Sequence, residues 1–226
     1  MTPPRMLPRM LVVAKAPVAG KVKTRLGADI GLEAAAEVAA ACLLDTLAAC
    51  TEAVGAKHCH LDLAGDLADG VRADELVAAS AGWTTSPQRG DGFDERLAHA
   101  HASVAATGPG PVVQVGMDTP QVTPALLLDA AAGLADHDAV LGPADDGGWW
   151  VLALRDPLAA QALVGVEMST PTTYDDTRAA LEAAGLRVGS TATLLDVDTV
   201  ADAEALLADA APGARFAASW KVLVPR

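Results

Sequence analysis

Aromatic side chains are scarce in this chain: four Trp, two Phe and one Tyr are all it has. At 51% apolar residues a large core is within reach, and disorder as the main state is excluded. Much of that apolar content is Ala, which fills little volume, so the core has to lean on Leu, Val and the Trp residues. Cysteine is sparse too. Cys42, Cys50 and Cys59 match no zinc or redox spacing, and an odd number gives no complete disulfide framework. A reduced, cytoplasmic protein is the expectation. Positive charge is also in deficit, with 16 Lys and Arg against 29 Asp and Glu and a formal net charge of −13. A nucleic-acid binder or an anionic-membrane binder is normally basic, so neither partner is expected. Residues 1–10 hold no apolar signal core, and no run of about eighteen apolar residues follows, so no membrane helix is expected.

One local absence points the other way. The first acid is Asp29, and residues 1–28 carry six of the sixteen Lys and Arg. At the average density roughly four acids belong in that window. The stretch "AKAPVAGKVKTRLG", residues 14–27, concentrates Lys15, Lys21, Lys23 and Arg25 in a loop rich in Gly and Pro.

Around that loop the hydrophobic pattern is that of an α/β domain. "MLVVA", residues 10–14, reads as a buried strand. Leu32, Ala35, Ala36, Ala39, Leu43 and Leu47 recur at helical spacing. A strand over 57–63, helices over 71–80 and 93–106, and a strand over 111–116 follow, with "WTTSPQRGDG" as a loop. Thr123 and Pro124 form an N-cap and first-turn pair. Residues 138–154 give strand, Gly-rich turn and strand. A helix over 173–184, a last core strand "LLDVD" and a helix over 200–210 complete the pattern. Strands alternating with helices predict a mostly parallel sheet covered on both faces, a three-layer α/β/α sandwich. The expected organisation is a flexible tail over 1–9 and one domain over 10–226. The end "RFAASWKVLVPR" packs either on its own core or on a second subunit, which would make a homodimer.

In such sheets ligands bind beyond the carboxyl ends of the strands. The basic loop follows the first strand directly, and Pro17 and Gly20 let it turn tightly. Backbone N–H groups, Lys ammonium groups and an Arg fork suit phosphate. The loop is neither a Walker A motif, since Lys15 stands where the first Gly belongs and Val22 follows Lys21, nor a G-x-G-x-x-G fingerprint. At other strand ends lie Asp118 in "VGMDTP" and the pair Asp196 and Asp198 in "LLDVDT". Their i, i+2 spacing puts the last two on one side of an extended segment. Converging carboxylates suit Mg²⁺ (or Mn²⁺), which prefers hard oxygen ligands. "GPADDGGWW" adds Asp145, Asp146, Gly147 and Gly148, a hairpin turn that also lets a ligand approach the backbone. Of Trp149 and Trp150, one is expected to face the core and the other the cleft. The five His form no ligand pattern, and no G-x-S-x-G elbow is present.

Five stretches, "AKAPVAGKVKTRL", "QRGDGFDERL", "VGMDTP", "GPADDGGWWVLAL" and "LLDVDTVADAEAL", occur in the order seen in a bacterial family of GT-A-type transferases. Members of that family are labelled glycosyltransferases associated with radical-SAM or selenium-domain gene clusters. The family is similar in turn to guanylyltransferases that activate phospholactate or phosphoenolpyruvate, and to molybdenum-cofactor nucleotidyltransferases. The resemblance runs from about residue 10 to residue 208. It implies a nucleotide-diphospho-sugar transferase fold in which Ala14, Lys15, Pro17, Gly20, Lys21, Lys23, Thr24 and Arg25 hold the nucleotide. It also implies Asp118, Asp196 and Asp198 as magnesium ligands, and places Ser169 and Thr170 with 145–149 on the acceptor side. Trp149 and Trp150 replace a more usual pair of tyrosines, "FDERL" replaces a more usual Leu-Gly-Glu-Arg, and "VEMST" lacks a Trp before Ser-Thr.

The reading put first is nucleotidyl transfer from a nucleoside triphosphate to a small phosphorylated acceptor, with Lys23, Arg25 and Asp118 catalytic. Glycosyl transfer from a nucleotide-sugar is the alternative, with Asp145 or Asp146 as base. Nucleotide binding without turnover stands third. Charge reversal at Lys23 or Arg25 is expected to abolish nucleotide binding and leave the fold intact, which a binding titration beside a thermal melt checks.

Overall fold

The structure, a computed structural model, describes residues 6–209 and 213–224. Its first strand, β1 (Arg9–Lys15), sets the plan. Met10, Val12 and Ala14 are buried on one face, Leu11 and Val13 on the other. A strand apolar on both sides belongs in the middle of a sheet covered twice. The chain continues through α1 (Thr24–Ile30), α2 (Leu32–Val54), β2 (Cys59–Ala64), α3 (Ala73–Ala79), β3 (Thr84–Pro87), α4 (Phe93–Ala106), β4 (Val112–Val115) and α5 (Pro124–Gly133). There follow β5 (Ala139–Pro143), β6 (Trp149–Leu154), a 3-10 segment Pro157–Leu163, α6 (Thr173–Ala183), β7 (Val188–Ser190), α7 (Val200–Asp209) and α8 (Arg215–Leu223). The seven strands lie in the order β3-β2-β1-β4-β6-β5-β7. β6 runs antiparallel to both neighbours, and every other pairing is parallel. This is the mostly parallel mixed sheet that the alternation of elements predicts.

One face of the sheet packs against α2, α3 and α5 through Leu43, Leu76 and Leu127. The other packs against α4, the 3-10 segment and α6 through Leu97, Leu163 and Leu181. A third cluster joins α1, α2, α7 and α8, where Leu26, Val38 and Cys42 meet Leu206, Phe216 and Trp220. α2 therefore serves two cores at once. It is bracketed by Gly31 and Gly55, both at positive φ, which end the flanking segments sharply. By length and composition α2 could span a bilayer, which corrects the expectation that no such helix exists. Here 72% of its most apolar window is buried within the protein. Cys42, Cys50 and Cys59 are free thiols inside the core.

Three further expectations need correcting. β3 lies within the stretch expected to be all loop. Its residues are polar and largely exposed and it ends in Pro87, which an edge strand tolerates because only one side needs hydrogen bonds. "LLDVD" is not a strand: Leu194 makes one isolated bridge to Ala144, and the last strand is the short β7. Arg9 opens β1 rather than closing a tail. Its guanidinium donates to the carbonyls of Val104, Gly108 and Gly110. Residues 1–5 of the expected tail lie outside the described residues.

The C-terminal helix packs on its own chain. The backbone N–H groups of Arg215 and Phe216 donate to the Asp45 carboxylate on α2, and Phe216 is 1% exposed. Phe216→Ala is therefore expected to cost about 3–5 kcal/mol in denaturant unfolding. That loss should be independent of protein concentration, as packing within one chain requires.

Candidate functional site

The carboxyl ends of β1 and β4 open into a cleft of about 750 Å³. A side cavity of about 320 Å³ adjoins it beneath Lys15 and Lys21, lined also by Gly65, Asp66 and Asp69. The basic loop forms one rim of the cleft. Lys15, Lys21 and Arg25 are exposed there. Among the described residues no ion pair involves Lys15 or Lys21. Ala14 and Thr24 also line the cleft. Pro17 and Gly20 do not: Pro17 packs under Gly70 and its carbonyl accepts from Val71 N–H, while Gly20 supplies a turn at φ 78°. Their contribution is to the shape of the loop.

Lys23 behaves differently from its neighbours. It caps α1 in a left-handed conformation, φ 46° and ψ 43°, which is strained for a residue with a Cβ. Its side chain is 4% exposed, and Nζ lies 2.9 Å from Asp118 Oδ1 and 2.8 Å from Asp198 Oδ1. Burial works against the ammonium charge, but Asp118 and then Asp198 more than offset this, and its pKa is raised. Lys23 is thus not a free cation of the loop. Charge reversal here would set a third carboxylate between two others, so the expectation that the fold survives it is corrected. Arg25, 79% exposed and 3.5 Å from Asp198 Oδ2, remains the suitable position for that experiment.

Asp118, Asp196 and Asp198 all line the cleft, and Val197 N–H donates to the Asp118 carbonyl, which holds the two segments together. Asp198 is pushed up by burial and pulled below the usual carboxylate range by Lys23 and Arg25. Asp196 accepts from the Thr119 hydroxyl at 2.5 Å. Burial pushes its pKa up to about 6. Among the described residues, no group of three or more His, Cys, Asp and Glu side chains is gathered closely enough to hold a metal ion by itself. Two of the carboxylates do converge on one positive atom, the Lys23 ammonium.

The opposite wall comes from the β5–β6 turn and the 168–173 segment. Asp146 accepts from Gly148 N–H at 2.8 Å and lines the cleft, as do Gly148, Trp149, Ser169 and Thr170. Asp145 is exposed and lies off the lining. Gly147 also lies off it, at φ 88°, and a Cβ there would collide with the Pro171 carbonyl. Trp150 is 2% exposed, with its indole N–H donating to the Ala192 carbonyl. Trp149 is half-buried at the cleft and donates to Thr177 Oγ1. The division expected of the pair is the one found.

The sequence reading passed over Gln88, Phe93, Arg96, Gln114 and Met168, which also line the cleft. Gln114 left a signal: it is an amide inside the otherwise apolar strand "VVQV".

Residues 46–170, more than half of the chain, match the family DUF2064, described as an uncharacterized protein conserved in bacteria. This chain belongs to the DUF2064 family. None of the curated proteins matches it significantly in sequence. Among solved structures, this DUF2064 protein resembles a proposed nucleotide-diphospho-sugar transferase from Desulfovibrio desulfuricans G20, with TM-score 0.83 and 25% identity over 96% of this chain and 97% of that one. It is also similar to Rv0371c of Mycobacterium tuberculosis H37Rv in complex with manganese, with TM-score 0.51 and 20% identity over 88% and 97% of the two chains. The 4-diphosphocytidyl-2C-methyl-D-erythritol synthase of Anaerococcus prevotii DSM 20548 has TM-score 0.56 and 13% identity over 87% and 95%. The Desulfovibrio protein carries a transferase name, and the fold of this DUF2064 chain is the nucleotide-diphospho-sugar transferase type.

The raised pKa of Asp196 has a consequence for stability. Its ordinary value is 3.8 and its folded value about 6, so the folded state binds the extra proton between those limits. The carboxyl's contribution to stability therefore falls as pH rises from about 4 past 6. Asn cannot ionise and keeps an acceptor for Thr119. Asp196→Asn is expected to be more stable than the parent by about 1–3 kcal/mol at pH 7.5 in chelator, with the gain vanishing near pH 4, as read from denaturant melts across pH.

Proposed function

We propose that this protein is a nucleotide-utilising transferase that moves a nucleotidyl group from a nucleoside triphosphate to a small phosphorylated acceptor, releasing pyrophosphate. The observation that carries the reading is the split of charge across the cleft. Lys15 and Lys21, which make no ion pair among the described residues, form one rim with exposed Arg25, and the carboxylates of Asp118, Asp196 and Asp198 line the same cleft. A polyphosphate with its counter-cation fits that pairing. Lys15, Lys21 and Arg25 would take the phosphate oxygens, with Thr24 and the Ala14 backbone beneath them. The side cavity under Lys15 offers room for the base. An acceptor phosphate is already anionic, so no general base is needed, and catalysis is positioning and charge stabilisation.

The donor set suits a divalent cation, because Asp118 and Asp198 already converge on one positive atom. Mg²⁺ or Mn²⁺ would be held by these two with Asp196 beside them, and would neutralise charge on the phosphates. Lys23 competes for the same two carboxylates and keeps them in place in its own right. A reduced, intracellular setting accords with the three free thiols.

Glycosyl transfer is kept as a second reading because of the likeness to the Desulfovibrio protein. In that reading Asp146, the acid of the turn that lines the cleft, is the base.

Thermal unfolding with nucleoside triphosphates and nucleotide-sugars, each with and without Mg²⁺ or Mn²⁺, separates the readings. A triphosphate at about 100 times its Kd is expected to add roughly 2.7 kcal/mol in the presence of metal. Lys21→Glu and Arg25→Glu should lose that protection while keeping the melting temperature of the free protein. Protection by nucleotide-sugars alone moves the assignment to glycosyl transfer, and protection by neither overturns both.

A further inference from the structure

Lys23 stands apart from the loop cations that face the phosphates. Its side chain is 4% exposed, while the two carboxylate side chains it holds are 41% exposed and line the cleft. Both Oδ1 atoms, of Asp118 at 2.9 Å and of Asp198 at 2.8 Å, are already turned onto its Nζ. The other oxygen of Asp198, Oδ2, lies 3.5 Å from the Arg25 guanidinium. Asp198 thus has a cation against each oxygen. Asp196 is engaged as well, since its Oδ1 accepts from the Thr119 hydroxyl. The attraction of Asp118 and Asp198 more than offsets the cost of burial, so Lys23 stays charged.

A divalent cation needs these same oxygens, at about 2.0–2.1 Å for Mg²⁺. An ammonium in contact with both Oδ1 atoms opposes it by occupancy and by like charge. Formal charge makes the same point. One cation and two carboxylates sum to −1, and a bare divalent cation added to them leaves +1 around a buried Lys. Nor can Lys23 simply be expelled, because an unpaired buried ammonium is costly. It needs a new anion as it leaves. A triphosphate held by Lys15, Lys21 and Arg25 supplies one, since all three line the same cleft as Lys23.

We propose that Lys23 is a built-in gate on metal entry: it keeps Asp118 and Asp198 closed to a free divalent cation and releases them only to a cation that arrives with triphosphate, to whose oxygens the ammonium then passes. This rests on the cleft being a polyphosphate site of a nucleotide-utilising transferase, and it adds an order of binding to that reading. The step is an exchange of ion pairs with no covalent change. Until then the protein carries its own substitute for the metal.

The probes are Mn²⁺ alone and Mn²⁺ premixed with inorganic tripolyphosphate, which carries the phosphate chain without a base. Binding of each to the full chain is measured by calorimetry, beside thermal melts in chelator and in Mn²⁺. Lys23→Gln removes the charge and keeps an N–H donor for the carboxylates. The open state is a small fraction of the wild type, so free Mn²⁺ is expected to bind Lys23→Gln about tenfold or more tighter. The variant should melt below the wild type in chelator and regain the difference in Mn²⁺, to which wild-type melting barely responds. With the tripolyphosphate complex the order should reverse, by about threefold or more, because only the wild type has an ammonium to pass to it. A Lys23 that merely props up the loop would lower both affinities together.

Equal affinity of the two proteins for free Mn²⁺, or tighter binding of the complex by the variant, overturns the proposal. Should Lys23→Gln fail to fold, the wild type decides. Free Mn²⁺ bound within about tenfold of its tripolyphosphate complex overturns the gate, and a wider gap bears it out. Protection of the wild type by a nucleoside triphosphate with Mn²⁺ shows that the nucleotide reading stands when the gate fails. Absence of that protection and of tripolyphosphate binding removes both.

Discussion

A single buried ammonium group ties the cleft together. Lys23 belongs to the loop after β1, Asp118 to the loop after β4, and Asp198 to the segment before α7. The last two are also joined by Val197 N–H to the Asp118 carbonyl and by Thr119 to Asp196, and Lys23 ties the first loop to both. Burying an unpaired Lys would be expensive, and so would be setting two carboxylates side by side without a cation. Each removes the other's penalty only while all three loops hold their places. The left-handed backbone of Lys23 is part of the same arrangement, since a strained residue persists only where its surroundings over-determine it.

That clamp also resolves the contrast between an acidic protein and its basic loop. Of the four cations, one is consumed by the fold and a second, Arg25, leans on Asp198 from outside. Lys15 and Lys21 are left facing the cleft with no ion pair among the described residues. The far wall is fixed by different means. Gly147 lets the β5–β6 turn press against Pro171, and its carbonyl accepts from Tyr174 N–H. The two indoles then bind the turn to elements on either side, Trp149 to α6 and Trp150 to the 191–194 segment. The basic rim is exposed side chain on a clamped loop, and the opposite rim is packed backbone.

Much of this was legible in the sequence where a residue's local pattern decides its place. The two-sided burial of β1, the long helix α2, α4 over 93–106, and the cap at Thr123 with Pro124 are all local signals. So were the strand-end positions of the basic loop and of Asp118, whereas Asp196 and Asp198 reach the cleft from a segment that is not a strand. What escaped depended on partners distant in sequence. β3 reads as loop because its polar residues form a strand only by leaning on β2. "LLDVD" has the composition of a strand but finds a neighbour at Leu194 alone. The pairing of Lys23 with Asp198 spans 175 positions and leaves no local trace. Counting Lys23 with the free cations was the natural error, because spacing cannot tell a solvated Lys from a buried one.

Gln114 and His101 show how a polar pair in a core can be weighed. On the face of the sheet that they share with Leu11, Leu97 and Leu152, apolar side chains would fill the space without any desolvation cost. The pair makes one hydrogen bond, worth about 1 kcal/mol net, and leaves a ring nitrogen unpartnered, which costs about 1–3 kcal/mol. On packing grounds alone the exchange is unfavourable. The amide N–H groups of Gln114 change the balance only if something accepts from them. Arg9, a polar side chain also buried against α4, donates to three carbonyls and leaves only its Nε without a partner among the described residues. Gln114 has no such set of partners among the described residues, and it lines the cleft at the carboxyl end of β4.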